Sequence, residues 1–153
     1  MKQIKFTVYA RPEPQGSAKG FVLPGKFGAK PRAIITTANP KLKPYRQELT
    51  HTAQAALAEA GVTAPMAGKH VPVSVVFDFY LSRPESIPKK RTHLVVKPDA
   101  DKLTRSTLDA MTGILFADDA QVVELSVRKH YGSPERADIS VSILEGLPGE
   151  GLF

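Results

Sequence analysis

Residues 97–131, KPDADKLTRSTLDAMTGILFADDAQVVELSVRKHY, decide how this chain folds and what it can do. They set one acidic pair, Asp99 and Asp101, just ahead of a helix, and a second, Asp118 and Asp119, just ahead of a strand. A helix needs only one or two acids near its start to satisfy its dipole. Four carboxylates at element ends, in a chain of formal charge +6, ask for another job. Their chemistry suits a hard divalent cation held over a nucleic-acid phosphate.

Asp101 is the expected N-cap of a helix over about 102–112, with Gly113 as its stop. Leu103, Thr107, Leu108 and Met111 give that helix a buried stripe, and Asp101, Arg105 and Asp109, spaced by four, share another. If Asp99 and Asp101 both sit on the last extended stretch, strand alternation turns both toward a single ion. Oxygen ligands with no Cys and no paired His select Mg²⁺ or Mn²⁺ over zinc. Asp119 or Asp118 would complete the site or begin a second metal position. Arg105 would stabilise charge on the transition state or pair with Asp101 and Asp109. The competing reading of the D-x-D pattern is capping and dipole balance.

Outward from this stretch, alternation predicts strands at 4–9, 71–81, 121–131 and 137–144. In the third, Val123, Leu125 and Val127 face one way and Glu124, Ser126, Arg128 and His130 the other, and the turn GSPER returns the fourth as its hairpin partner. Asp78, on the outward face of the 71–81 strand, is a solvated acid or a remote contributor to the acidic site. Between the first two strands, apolar residues recur every three or four positions from Leu42 to Ala60, a first helix that Gly61 ends. His51 lies beside that stripe and receives no role.

Two loops carry the positive charge. Residues 11–40 are rich in Pro, Gly and Lys and read as a long mobile loop, with AIITT at 33–37 as an added strand or hairpin arm. Lys19, Lys26, Lys30 and Arg32 are interleaved there with Phe21 and Phe27, a mixture that can follow a phosphate backbone and stack on a base or simply keep a loop solvated. Residues 83–97 bring Lys89, Lys90, Arg91 and Lys97 directly up to Asp99, and Lys102 follows Asp101. These cations offset the repulsion between substrate phosphate and the carboxylates.

At 153 residues, 42% hydrophobic, the chain has the length of one domain. A pI of about 9.6 favours a polyanionic partner. The absence of cysteine excludes disulfides, thiolate zinc sites and thiol nucleophiles. The first residues hold no apolar signal core, and no run approaches the roughly 20 apolar residues of a spanning helix, so an intracellular, cytoplasmic location is expected.

Pro98-Asp99-Ala100-Asp101, Leu108-Asp109-Ala110-Met111 and Asp118-Asp119-Ala120-Gln121-Val122 together resemble the RusA family of Holliday junction resolvases, whose signature runs PDxDN, a lysine three residues on, LDAL, then DD-x-QV into a strand. The likeness is good over 97–144; before that only the order of elements agrees. It implies a small α/β (α+β) domain over 1–146, a mixed sheet of about four strands with two helices in the order β-α-β-α-β-β, and a flexible tail at 147–153. It also implies a homodimer that uses Mg²⁺ to cut four-way DNA junctions symmetrically. By position Asp99, Asp101 and Asp119 would be the essential metal-binding acids and Asp118 of lesser weight. Two positions depart: Lys102 stands for the asparagine, and Arg105 for the active-site lysine. Arginine keeps the charge but does not readily lose a proton. The rival readings are a non-catalytic DNA-binding module, which would bind junctions without cutting, and a metal phosphohydrolase for nucleotides, which would not need the basic loops.

Overall fold

The computed structural model describes residues 2–16, 18–37 and 39–144, apart from the side chains of 18–21 and 35–37. Its elements are β1 (Gln3–Val8), β2 (Ala18–Leu23), β3 (Arg32–Thr37), α1 (Leu42–Glu59), β4 (Val73–Leu81), α2 (Ala100–Met111), a single 3₁₀ turn (Asp119–Gln121), β5 (Val122–Tyr131) and β6 (Arg136–Ile143). Four strands form one mixed sheet in the order β1-β6-β4-β5. The expected α+β class and β-α-β-α-β-β order hold, with a two-stranded β2–β3 ribbon inserted.

That ribbon occupies most of the stretch read as a loop. β2 and β3 pair antiparallel from Ala18 opposite Thr37 to Leu23 opposite Arg32, so the 33–37 arm is real and has a partner. The ribbon is fixed at its root. Asn39 Nδ2 donates to Glu13 Oε2 and to the Pro14 carbonyl, each at 3.1 Å, while Ser106 Oγ on α2 donates to the Glu13 carbonyl at 2.7 Å. Buried Glu13 also meets Arg11 at 3.2 Å, which offsets the cost of taking its charge out of water. The expected tail at 147–153 lies outside the described residues.

The central strand is β4. Val73, Val75, Phe77, Phe79 and Leu81 are all buried against the helices, and the residues between them face the open side of the sheet. Pro44 falls in the first turn of α1, where its missing N–H costs nothing. α1 buries Leu42, Tyr45, Leu49, Ala53 and Leu57, and Gly61 at φ +68 carries the chain away. Tyr45 Oη and Thr107 Oγ1 meet at 2.9 Å in the seam between the helices, and burial pushes the Tyr45 hydroxyl far above its ordinary pKa.

One expectation about β5 is overturned. β6 is not its hairpin partner: β4 lies between them, parallel to β5 and antiparallel to β6, and residues 132–135 cross the end of β4. The Gly132 N–H donates to the Leu81 carbonyl at 3.0 Å as they pass. Leu125 and Val127 share the face of Val75 and Phe77, as expected, although Val123 and Leu125 are 62% and 47% exposed. β5 is the sheet edge, and a register shift opposite the Val73–Ser74 step leaves Val123 as an extra residue in the strand.

Asp78 faces the open side and is neither solvated alone nor near the acidic residues of α2. Arg128 Nε and Nη2 fork onto its two oxygens at 2.8 and 3.1 Å, and His130 Nε2 lies 2.7 Å from Oδ1. Burial raises its pKa, but the hydrogen bonds from His130 and Arg128 and their charges outweigh this and leave it below the ordinary 3.8. A carboxyl lowered by folding stabilises fully above its unfolded value and loses that contribution as pH falls through the folded one. Asp78→Asn should therefore flatten the decline in urea midpoint below pH 3.8.

Candidate active site

The helix that carries the first acids begins earlier than its sequence suggests. α2 starts at Ala100 with Asp99 as N-cap, in extended conformation at φ −73°, ψ 139°, so Asp101 is not the cap but lies in the first turn. The pair therefore straddles the strand-to-helix change, and two-residue alternation does not set their directions. Asp99 makes no side-chain capping bond and instead lies 3.7 Å from Lys102 Nζ. Among the described residues no hydrogen bond or ion pair engages Asp101. Capping thus does not account for either carboxylate.

The second pair divides its work differently. Asp118 caps the 3₁₀ turn, accepting from the Ala120 N–H at 3.0 Å, while its own N–H donates to Gln121 Oε1 at 2.8 Å. Gln121, nearly buried, donates from Nε2 to the Gly68 and Val71 carbonyls at 2.7 and 2.9 Å and so ties the turn to the segment before β4. Asp119 has no such duty. Its carboxyl is pushed up by a hydrogen bond shared with Asp118, by desolvation, and by the charges of Asp118 and Asp109, while the Ala120 N–H and the bond to Asp119 hold Asp118 down. An acid crowded by like charges gains from a cation.

Asp109 was not foreseen as part of this group. It lies two turns beyond Asp101, about 12 Å along the helix axis, and its charge reaches Asp119. The acids form two subgroups, Asp99 with Asp101 at the start of α2 and Asp109 with Asp118 and Asp119 toward its end. Exposed Arg105 stands on the stripe between them, and among the described residues it pairs with neither Asp101 nor Asp109. Among the described residues no three His, Cys, Asp or Glu side chains are gathered as a ready metal cage. The donor set still fits a hard ion that keeps its waters and takes one or two protein carboxylates plus phosphate oxygens.

Lys129 is a positioning residue that sequence reasoning missed. From β5 its Nζ donates to the Val96 and Pro98 carbonyls at 3.0 and 2.9 Å, pinning the segment that leads into Asp99. The signal was there: Lys129 continues the parity of Leu125 and Val127, a lone cation on an otherwise apolar face.

The foreseen cations surround these acids in sequence and are open to solvent. Lys26, Lys30 and Arg32 are exposed at and beside the ribbon tip, where Phe27 is fully exposed, and Lys89, Lys90, Arg91 and Lys97 are exposed on the loop between β4 and α2. Lys102 is half-buried beside Asp99. The side chains of Lys19 and Phe21 lie outside the described residues. Among the described residues no helix is long and apolar enough to cross a membrane.

The family model "Endodeoxyribonuclease RusA" matches residues 24–142. A Bacillus subtilis (strain 168) protein, named "Uncharacterized protein YqaN", is 29% identical over 151 residues, which span 92% of this chain and 96% of the relative. The family match takes in the ribbon from its tip onward, both helices, every acid of the two subgroups and nearly all of β6, and the chain belongs to the RusA endodeoxyribonuclease family.

Proposed function

We propose that this protein is a Mg²⁺-dependent, structure-selective endodeoxyribonuclease that resolves Holliday junctions by symmetric strand cleavage, as a homodimer, in DNA recombination and repair. The observation that carries this reading is that, in a chain of the RusA family, neither Asp99 nor Asp101 makes a side-chain cap at the start of α2, and the cap of the turn before β5 comes from Asp118 while Asp119 stands beside it. Asp99 with Asp101 at the start of α2, or Asp119 toward its end, would supply the one or two carboxylates that such an ion takes, with Mn²⁺ able to substitute. When bound, such an ion supplies charge to polarise the phosphoryl oxygen and to acidify an attacking water. Arg105 can hold the scissile phosphate through its planar fork but cannot take up a proton at working pH. The proton of the attacking water therefore goes to a carboxylate or to solvent. The exposed cations of the ribbon tip and of the 83–97 loop bind the backbone of the junction arms, and Phe27 can stack on an unpaired base.

The test is a synthetic four-way junction beside a linear duplex of the same sequence. Paired, symmetric nicks in the junction with Mg²⁺, abolished by chelation, are expected. Tight binding without cleavage under any divalent metal would favour the DNA-binding module.

Lys129→Met should keep the apolar stem of the side chain while leaving the Val96 and Pro98 carbonyls without their donor. Movement of the segment before Asp99 should lower the junction cleavage rate roughly 10- to 100-fold. The unfolding free energy should fall by about 1–3 kcal/mol. Single-turnover cleavage and urea unfolding of the same preparation measure both.

A further inference from the structure

α1 carries two cations, Lys43 and Arg46, and two acids, Glu48 and Glu59. Both cations, and neither acid, line a groove of about 760 Å³ between the outer side of α1 and the end of α2. Helical spacing sorts them. Lys43, Arg46, Gln47, Thr50, His51 and Gln54 recur at intervals of three and four, which sets them along one stripe of the helix. Glu48 turns the other way, into a separate recess that also takes in Lys41.

The fold makes little use of these donors. Among the described residues Lys43, Arg46, Gln47, His51 and Gln54 make no side-chain hydrogen bond or ion pair. Lys43 and Arg46 lie toward the start of α1, where the helix dipole disfavours cations and no acid in the first turn offsets them. Thr50 alone of the six is committed: its Oγ1 donates to the Ala110 carbonyl at 3.1 Å and fixes the spacing of the two walls. The one carboxylate among the lining residues is Asp109, whose charge reaches Asp119. The groove therefore adjoins the second acidic subgroup, and it also takes in Asn39 and Pro40 at the root of the ribbon.

We propose that this groove seats the sugar-phosphate backbone of a junction arm beside the acidic turn, with Lys43 and Arg46 binding phosphates and Gln47, His51 and Gln54 adding polar contacts. The choice of ligand rests on the reading proposed above, in which the substrate is DNA. Lys, Arg and amide side chains are the usual partners of phosphate oxygens, and such contacts carry no sequence information, which suits an enzyme that selects a structure. Half-buried Arg46 can fork onto two phosphate oxygens, and exposed Lys43 adds a point charge. From Lys43 to Gln54 the helix rises about 17 Å. That is the length of about five steps of a strand that rises about 3.4 Å per nucleotide.

The test is junction binding followed by fluorescence anisotropy across a salt series, with a chelator present so that no strand is cut. Lys43→Gln combined with Arg46→Gln should reduce the slope of log affinity against log salt by about 1.8 and weaken binding about tenfold or more at about 0.1 M salt. Gln47→Glu keeps a good helix former at an exposed position and sets a negative charge in the middle of the stripe, so it should weaken binding as well. Lys41→Gln removes the same charge two residues before Lys43 but outside the groove, and it should change neither slope nor affinity. Wild-type affinity and slope in the double variant, unweakened binding by Gln47→Glu, a loss from Lys41→Gln equal to that from Lys43→Gln, or a wild-type protein that binds no junction would overturn the proposal. Binding is measured without metal. A protein that shows the expected losses but never cuts therefore contradicts the nuclease reading alone, and one that cuts while these substitutions leave binding unchanged contradicts the groove alone.

Discussion

Asp101→Asn is expected to lower junction cleavage by about 10³-fold or more, the loss that follows when several kcal/mol of charge stabilisation leave the transition state. Binding to the same junction should stay within about twofold, because the substitution removes a negative charge and no phosphate contact. Asp101 is exposed and, among the described residues, engages nothing. Its replacement should therefore change the unfolding free energy by less than about 0.5 kcal/mol. Cleavage rates, fluorescence-anisotropy titration and urea unfolding on one preparation separate these three expectations. A variant that cuts at the wild-type rate would return Asp101 to the role of a helix-dipole residue.

The acidic turn before β5 gives a second, paired expectation. Asp119→Asn should cost as much activity as Asp101→Asn, whereas Asp118→Asn should cost less than about tenfold, because an amide oxygen can still accept the Ala120 N–H and hold the turn. Asp118→Ala removes that acceptor and should lower the midpoint of thermal or urea unfolding relative to Asp118→Asn. Equal losses from Asp118→Asn and Asp119→Asn would contradict the separation of a capping acid from a chemical one. Adjacent aspartates in a sequence look interchangeable, and only the turn they form tells them apart.

The same limit explains what else could and could not be read from the chain. Apolar spacing carries which side of an element is buried, so the stripes of α1 and α2 and the inward residues of β4 were legible. Spacing carries no information about neighbours. The crossing of residues 132–135 over the end of β4 is set by which strand completes the sheet, and a short connection between two alternating segments reads as a hairpin either way. The β2–β3 ribbon was hidden because its glycines and lysines resemble a loop, and what fixes it, Glu13 with Asn39 and Ser106, comes from residues up to 93 positions apart. In the acidic stretch the residue types and their order were legible, but Asp109 and Lys129 enter through contacts made only when α2 and β5 pack. The start of α2 at Ala100 moved Asp101 from cap to first turn, a shift of two residues that alters what the D-x-D spacing means geometrically.

The claim on which the account depends is that the acids at the two ends of α2 take up a divalent cation together with a DNA phosphate. A crystal of the protein with a junction strand and Mn²⁺, examined by anomalous scattering, tests it most directly. The expected result is an ion coordinated by Asp119 or by the Asp99–Asp101 pair, with a phosphate oxygen in its shell. DNA seated on the basic loops with manganese bound elsewhere, and no ion touching any of these three carboxylates, would contradict it.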